Sequence, residues 1–186
     1  MMDDGQRIIL GIDPGTMILG YGVVLVDRRS VHYVDMGVVD LRKEKDHFAK
    51  LNTIYTEVGA VIDRYCPDDM AVEAPFYGKN PQVMLKLGRA QGAAISAAIA
   101  RGVPIFEYAP RKVKMAVTGQ GAASKEQVAL IVSRTLSVEL KSGYLDATDA
   151  LAIALCHFYQ LVNPFADREA STDWAQFIKS HPDRIR

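Results

Sequence analysis

Four acidic residues stand where an apolar segment would not normally carry a charge. Asp13 ends the apolar run IILGID, and Glu73 ends the run MAVE. Asp146 and Asp149 begin the otherwise apolar segment 145–162, and their spacing of three would place both on one face of a helix. Because acidic side chains are rarely buried without a partner, this placement indicates a function for the four residues.

Three of the four acids also have a simpler interpretation when each is taken alone. Asp13 precedes Pro14 and Gly15 and could form an Asx turn. Asp146 and Asp149 could be first-turn acids that complement a helix dipole. Glu73 has no comparable explanation, because the apolar turn after it supplies neither a helix cap nor a cation.

Taken together, the four acids predict a site for divalent cations. Carboxylates that converge repel one another, and at least one would be protonated unless a cation offsets the charge. Oxygen ligands without cysteine or histidine suit Mg²⁺ or Mn²⁺. Two such ions about 4 Å apart can activate water and stabilise the leaving oxygen of a phosphodiester, so we expect metal-assisted phosphodiester hydrolysis.

The distribution of charge favours a polyanionic partner more than its total does. The 186 residues include 22 basic and 22 acidic residues, so the net charge of zero neither favours nor excludes nucleic acid. Residues 79–141, however, hold 10 basic against 3 acidic residues, whereas residues 1–78 hold 8 against 13. The excess of +7 suits contacts with a phosphate backbone, although solvated helix faces would also explain it.

Hydrophobic periodicity predicts five strands and five helices. Runs of β-branched and aromatic residues predict an antiparallel meander of three strands, then two later strands, at 8–13, 20–27, 31–42, 69–74 and 103–109. Apolar residues at helical spacing predict helices at 47–66, 81–101, 111–118, 124–138 and 145–162. This order indicates a mixed sheet covered by helices on its faces.

The remaining composition excludes several classes of protein. Cys66 and Cys156 lack metal-binding spacing and are expected to be small core residues in a reducing compartment. We expect neither secretion nor a membrane span, and therefore a cytoplasmic protein, since the first ten residues lack a signal-peptide core. One domain is expected over residues 1–162, followed by an appendage, 163–186, that is either a short docked helix or disordered.

Six segments of the chain resemble, in order and spacing, the successive blocks of the RuvC family of bacterial Holliday junction resolvases. They are GIDPGTMILGYGVV, AVEAPFYGKN, LKLGRAQGAAISAA, IFEYAPRKVK, TGQGAASKEQV and DATDALAIALCH, and they cover roughly residues 7–162. The first segment alone would be unspecific, because actin-like ATPases and other nucleases of the ribonuclease H fold carry similar strand-turn segments.

The resemblance implies a ribonuclease H-like α/β fold with a five-stranded mixed sheet flanked by helices on both faces. It implies a homodimer that makes paired nicks in opposed strands of a four-way DNA junction, with Asp13, Glu73, Asp146 and Asp149 as the Mg²⁺ ligands. A partnership with the RuvA-RuvB branch-migration complex is expected on the same ground. The helix at 81–101, rich in glycine and alanine, is the expected dimer contact, although internal packing would explain its composition nearly as well.

The resemblance also assigns candidate contacts to DNA. Lys114 and Lys125 match the family's two lysines important for cleavage, and Phe76 matches an aromatic residue that stacks on junction bases. The complete set of expected DNA contacts is Phe76, Tyr77, Lys79, Arg111, Lys112, Lys114 and Lys125. Ordinary exposed lysines and a core phenylalanine are the alternatives for these positions.

Two other classes of protein share part of this pattern. An actin-like ATPase or sugar kinase begins with a similar strand and turn, but it needs a second, similar domain for which 186 residues leave no room. A DNA-structure binder without catalysis would have no need of all four acids. A metal-dependent junction endonuclease is therefore the expected function.

Overall fold

A computed structural model of the protein describes residues 5–75, 80–139 and 145–162. In these ranges one mixed sheet has the order β3-β2-β1-β4-β5, and the predicted architecture is confirmed. Its strands are β1 (Gln6–Asp13), β2 (Ile18–Asp27), β3 (Ser30–Asp40), β4 (Asp69–Glu73) and β5 (Ile105–Tyr108). The helices are α1 (His47–Tyr65), α2 (Pro81–Ile99), α3 (Pro110–Thr118), α4 (Lys125–Leu136) and α5 (Leu145–Leu161).

The central strand β1 changes the direction of pairing within the sheet. It pairs antiparallel with β2, which pairs antiparallel with β3 as the predicted meander requires. On its other edge β1 pairs parallel with β4, and β4 pairs parallel with β5. The parallel arrangement brings the carboxyl ends of β1 and β4, and therefore Asp13 and Glu73, to the same edge of the sheet.

Each face of the sheet has its own hydrophobic core. Ile9 packs with α3, α4 and α5 on one face, whereas the next residue, Leu10, packs with α1 and α2 on the other. Both side chains are fully buried. A strand covered on both faces reads as a continuous apolar run, which is why the sequence around Asp13 shows no polar alternation.

Two glycines allow α5 to lie directly on the sheet. A Cβ at Gly11 would lie 2.0 Å from the Ala150 carbonyl oxygen, and one at Gly20 would lie 2.0 Å from the Asp146 carbonyl oxygen. Any side chain at these positions would push the helix away. The glycines of β1 and β2 therefore determine how closely the first turns of α5 approach Asp13.

The ends of several helices differ from the predicted ends for local reasons. Helix α4 begins at Lys125 because Ser124 caps it, its hydroxyl accepting from the Gln127 N–H while the Gln127 side chain accepts from the Ser124 N–H. Helix α2 ends at Ile99, before a turn in which Gly102 has a φ of 71°. Of the described helices, none is long and apolar enough to cross a membrane.

One expectation about the core is wrong. Cys156 is buried in α5 as predicted, but Cys66 is exposed. Cys66 is the C-cap of α1, where the backbone turns left-handed at a φ of 46°, and this turn directs the residue out of the helical stripe that faces the core.

Candidate active site

The four predicted acids lie together at one edge of the sheet. Asp13 and Glu73 end adjacent parallel strands, and their carboxyl groups are in hydrogen-bond contact. Carboxylate oxygens of Asp13, Asp146 and Asp149 all lie within 4.8 Å of one another. Residues separated by up to 136 positions in the chain are thus brought to one place by the sheet and by α5.

An open cavity of about 90 Å³ lies over this cluster. Asp13, Glu73 and Asp149 line it together with Lys114 and Lys125, whereas Asp146 does not. Lys125 Nζ lies 2.5 Å from Asp149 Oδ2. The remaining wall is mainly apolar and comes from α3, α4 and α5, through Pro110, Val113, Val128, Ala152 and Ile153.

Burial and mutual repulsion shift the titration of the acids. Burial, followed by the charges of Glu73 and Asp149, raises the pKa of Asp13 to about 8. Burial also raises the pKa of Glu73, and the charge of Asp149 adds to this effect. Burial disfavours the charged form of Lys125, but the hydrogen bond to Asp149 and the charges of Asp149, Asp13 and Asp146 together outweigh it and raise the pKa of this lysine.

The cluster fits a hard divalent cation. Its donors are carboxylate oxygens on Asp13, Asp146 and Asp149, with Glu73 against Asp13, and no cysteine or histidine of the described ranges belongs to this group. A cation would offset both the burial and the repulsion that raise the pKa of Asp13. The set is thus chemically suited to Mg²⁺ or Mn²⁺.

The structure brings only some of the predicted DNA contacts to the cavity. Lys114 and Lys125 line it. Arg111 is exposed outside its lining, and Lys112 Nζ lies 5.2 Å from the centre of the Tyr108 ring. Phe76, Tyr77 and Lys79 lie outside the described residues.

One polar residue near the site was not singled out in the sequence. Gln91 of α2 is 5% exposed and donates to the main-chain carbonyl of Glu73 at 3.0 Å. Its signal in the sequence is weak but present, because it is the one polar residue among the five buried residues of α2. A lone amide on an alanine-rich helical face indicates a specific buried partner.

Known proteins resemble the chain over nearly its whole length. A family model described as crossover junction endodeoxyribonuclease RuvC matches residues 9–157. The proteins of that name from Bacteroides fragilis and Cytophaga hutchinsonii are 51% and 49% identical over 183 and 181 residues, covering 97% of this chain and 97% and 89% of their own lengths.

Solved structures agree with this assignment. Thermus thermophilus RuvC in complex with Holliday junction substrate superposes with a TM-score of 0.76 at 34% identity, covering 84% of this chain and 95% of that one. The yeast mitochondrial Holliday junction resolvase shares the fold, with a TM-score of 0.62 at 14% identity over 81% of this chain and 77% of its own. The sheet order is thus that of a ribonuclease H-like fold, and the chain belongs to the RuvC family of crossover junction endodeoxyribonucleases.

Proposed function

We propose that this protein cuts four-way DNA junctions with divalent metal ions held by Asp13, Glu73, Asp146 and Asp149. Its family makes it a Holliday junction resolvase, an endodeoxyribonuclease of recombination and repair. The observation that carries the metal chemistry is the convergence of the acids: Asp13, Glu73 and Asp149 line one cavity, and Asp146 offers a carboxylate oxygen within 4.8 Å of those of Asp13 and Asp149.

The acids supply enough oxygen ligands for two Mg²⁺ ions, with Mn²⁺ as a substitute. When bound, the ions would polarise the scissile phosphate and lower the pKa of a water molecule. Asp13 must release its proton before it can serve as a ligand, and its raised pKa means that cation binding and proton release are linked. Metal affinity is therefore expected to rise with pH.

Lys114 and Lys125 are proposed to act on the phosphate. Both line the cavity together with Glu73 and Asp149, and Lys125 forms an ion pair with Asp149. An ammonium group already fixed in the cavity can offset the negative charge that develops on the phosphate oxygens. It does not have to move during the reaction. The apolar wall formed by Val113 and Val128 limits the water that would screen these charges.

The DNA path is proposed to run over the basic segment 79–141. Lys79, Arg111 and Lys112 would contact phosphates there, with an excess of seven positive charges over the segment. Phe76 and Tyr77 follow Glu73 closely in the chain and would stack on bases at the junction centre. Because the protein as a whole is neutral, junction affinity should depend strongly on salt.

A homodimer would place two such sites on one junction and so give paired nicks. Leu85 and Ile99 of α2 are each 65% exposed, and between them a Cβ at Gly88 or Gly92 would meet nothing within 4 Å. These four positions recur at helical spacing and form an open stripe, whereas Ala90, Ala94, Ala97 and Ala98 are buried within the subunit. We propose this stripe as the dimer contact, to be tested by sedimentation of Gly92→Glu, which should be monomeric.

Two further expectations from the family resemblance stay proposals. RuvA-RuvB is proposed as the partner complex that delivers junctions, in the bacterial cytoplasm where the chromosome lies. The division into a nuclease domain at 1–162 and an appendage at 163–186 is also a proposal, because residues 163–186 lie outside the described ranges.

A junction cleavage assay tests the proposed chemistry. Protein incubated with a labelled synthetic four-way junction and Mg²⁺ should make paired nicks in opposed strands. Omission of the metal should stop cutting. Asp13→Asn should bind the junction but leave it intact, because the substitution removes a ligand and leaves the basic segment unchanged. Cutting without metal, or undiminished cutting by Asp13→Asn, would contradict the proposal.

A further inference from the structure

Gln91 carries a buried amide in the middle of α2. The residue is 5% exposed, and its neighbours on the buried face of the helix are Ala90, Ala94, Ala97 and Ala98. Burying an amide without partners is costly, so its hydrogen bonds define what the residue does in the fold.

Both hydrogens of this amide have acceptors. Nε2 donates to the Glu73 carbonyl oxygen at 3.0 Å and to Glu107 Oε1 at 3.0 Å. Because a main-chain carbonyl and a carboxylate can only accept here, the orientation of the amide follows from its partners. One side chain of α2 thus joins the ends of β4 and β5.

The contact is made where β4 has lost its pairing with β1, although Glu73 still pairs with Tyr108 of β5. The parallel pairing of β1 with β4 ends at Ile12 and Val72, one residue before Glu73. Beyond Glu73 the main chain is held to β5 by the Ala74 N–H, which donates to the Tyr108 carbonyl at 2.9 Å. The Gln91 amide therefore supports the peptide group of Glu73 on the side where the pairing with β1 has ended.

We propose that Gln91 is a positioning residue that fixes the backbone of Glu73 and thereby the carboxylate that binds metal. This inference rests on the proposed role of Glu73 as a ligand. Gln91 touches no reacting group and acts only through the Glu73 peptide, so its loss lets the end of β4 move relative to Asp13. It also connects the metal site to α2, the helix whose other face is the proposed dimer contact.

Binding of Mn²⁺, measured by titration calorimetry on the full chain without DNA, tests the proposal. Gln91→Met keeps the length and removes the donor, and it should weaken Mn²⁺ binding about tenfold, as removal of groups that orient metal ligands typically does. Gln91→Glu, which keeps the polarity but replaces the donor by an oxygen, should weaken it as well. Ser96→Ala, which removes an exposed hydrogen bond to the Gly92 carbonyl on the same helix, should bind as the wild type does.

A double variant separates positioning from a general loss of stability. In the Glu73→Gln background, Gln91→Met should cause no further loss of Mn²⁺ affinity, because the ligand it positions is already gone. An equal loss in both backgrounds, wild-type affinity of both Gln91 variants, or failure of both to fold would overturn the proposal. If the wild-type protein binds no Mn²⁺, or Asp13→Asn binds it equally well, the proposed metal site itself is wrong.

Discussion

Lys125 Nζ lies 2.5 Å from Asp149 Oδ2, so the first residue of α4 is joined to the acidic end of α5. The side chain of Asp149 is about one-fifth exposed and that of Lys125 about half. The ammonium group therefore stays open to the cavity while it is paired with Asp149. The pair therefore places a candidate metal ligand and a cation in the lining of the same cavity. Ser124 holds this arrangement, because its capping bonds determine where α4 begins.

Lys125→Met should lower the rate of junction cleavage at saturating Mg²⁺ by about 100-fold, because a fixed cation beside the developing charge is lost. Junction affinity measured without metal should change little, because only one of the 10 basic residues in the segment 79–141 is removed. Single-turnover cleavage and a binding titration separate the two effects.

Arg29→Met is the matched control for that experiment. Arg29 is exposed in the β2–β3 turn, at the opposite end of β2 from Gly20, which pairs with Asp13. Arg29→Met removes one positive charge far from the cavity. The variant should therefore cleave as the wild type does. Wild-type rates for Lys125→Met would exclude a role for this lysine in the chemical step.

Asp13→Asn should stabilise the metal-free protein at alkaline pH. In the folded chain Asp13 keeps its proton up to about pH 8, whereas in the unfolded chain it ionises near 3.8. Between these values the folded state binds more protons, so the contribution of Asp13 to stability is lost as pH rises from about 4 to about 8. Asparagine does not titrate and avoids this loss.

Urea unfolding in EDTA at pH 5 and pH 8 measures this effect. The advantage of Asp13→Asn over the wild type should be larger at pH 8, and added Mg²⁺ should reverse it by stabilising the wild-type carboxylate. An advantage that is the same at both pH values would mean that Asp13 ionises normally in the folded protein.

Gly20→Ala should abolish cleavage and destabilise the fold. The new Cβ would lie 2.0 Å from the Asp146 carbonyl oxygen, so the first turn of α5 must move and carry Asp146 and Asp149 away from Asp13. Overpacking of this kind costs about 1–3 kcal/mol and can cost more against backbone atoms.

Gly5→Ala provides the control for a glycine replacement. Its Cβ would lie 3.5 Å from Arg28 Cγ, an ordinary contact, and it should leave cleavage and the midpoint of thermal unfolding unchanged. Full activity of Gly20→Ala would show that α5 can shift without disturbing the acids.

Asp69→Asn should lower stability by about 2 kcal/mol, because it removes the charge of a buried carboxylate that Arg7, itself 46% exposed, contacts. Asp69 is fully buried, with Arg7 Nε at 2.6 Å and His157 Nε2 at 3.2 Å. His157 also contacts the Tyr108 hydroxyl at 2.7 Å, so the network ties β4, β5 and α5 together. Asp69 begins β4 whereas Glu73 ends it, so Asp69 lies away from the acidic cluster. The folded variant should therefore retain cleavage at low temperature.

Asp63→Asn separates burial from charge in this comparison. Asp63 pairs with Arg101 at 2.7 Å, but its side chain is 62% exposed. Such surface pairs contribute about 1 kcal/mol or less, so denaturant unfolding should show only a small change. Equal effects of the two substitutions would mean that burial of the Asp69 network adds nothing.

The types and order of the elements could be predicted from the sequence, as could the four acids that the structure brings together. Periodicity predicted each strand and helix because the apolar repeat follows from which faces are buried, and the acids stood out because apolar segments do not otherwise end on charges. The burial of Cys66 was predicted wrongly, since a helical stripe does not reveal that the last residue turns left-handed.

How these residues meet could not be predicted from the sequence. Which glycine lets α5 approach Asp13, which lysine contacts Asp149 and what Gln91 supports depend on contacts between residues far apart in the chain. The pKa of Asp13 is likewise a property of its surroundings, because burial and neighbouring charges raise it. The periodicity of buried faces can be read from neighbouring residues in the sequence. Distances between residues on different strands and helices are fixed only when the chain packs into its tertiary structure.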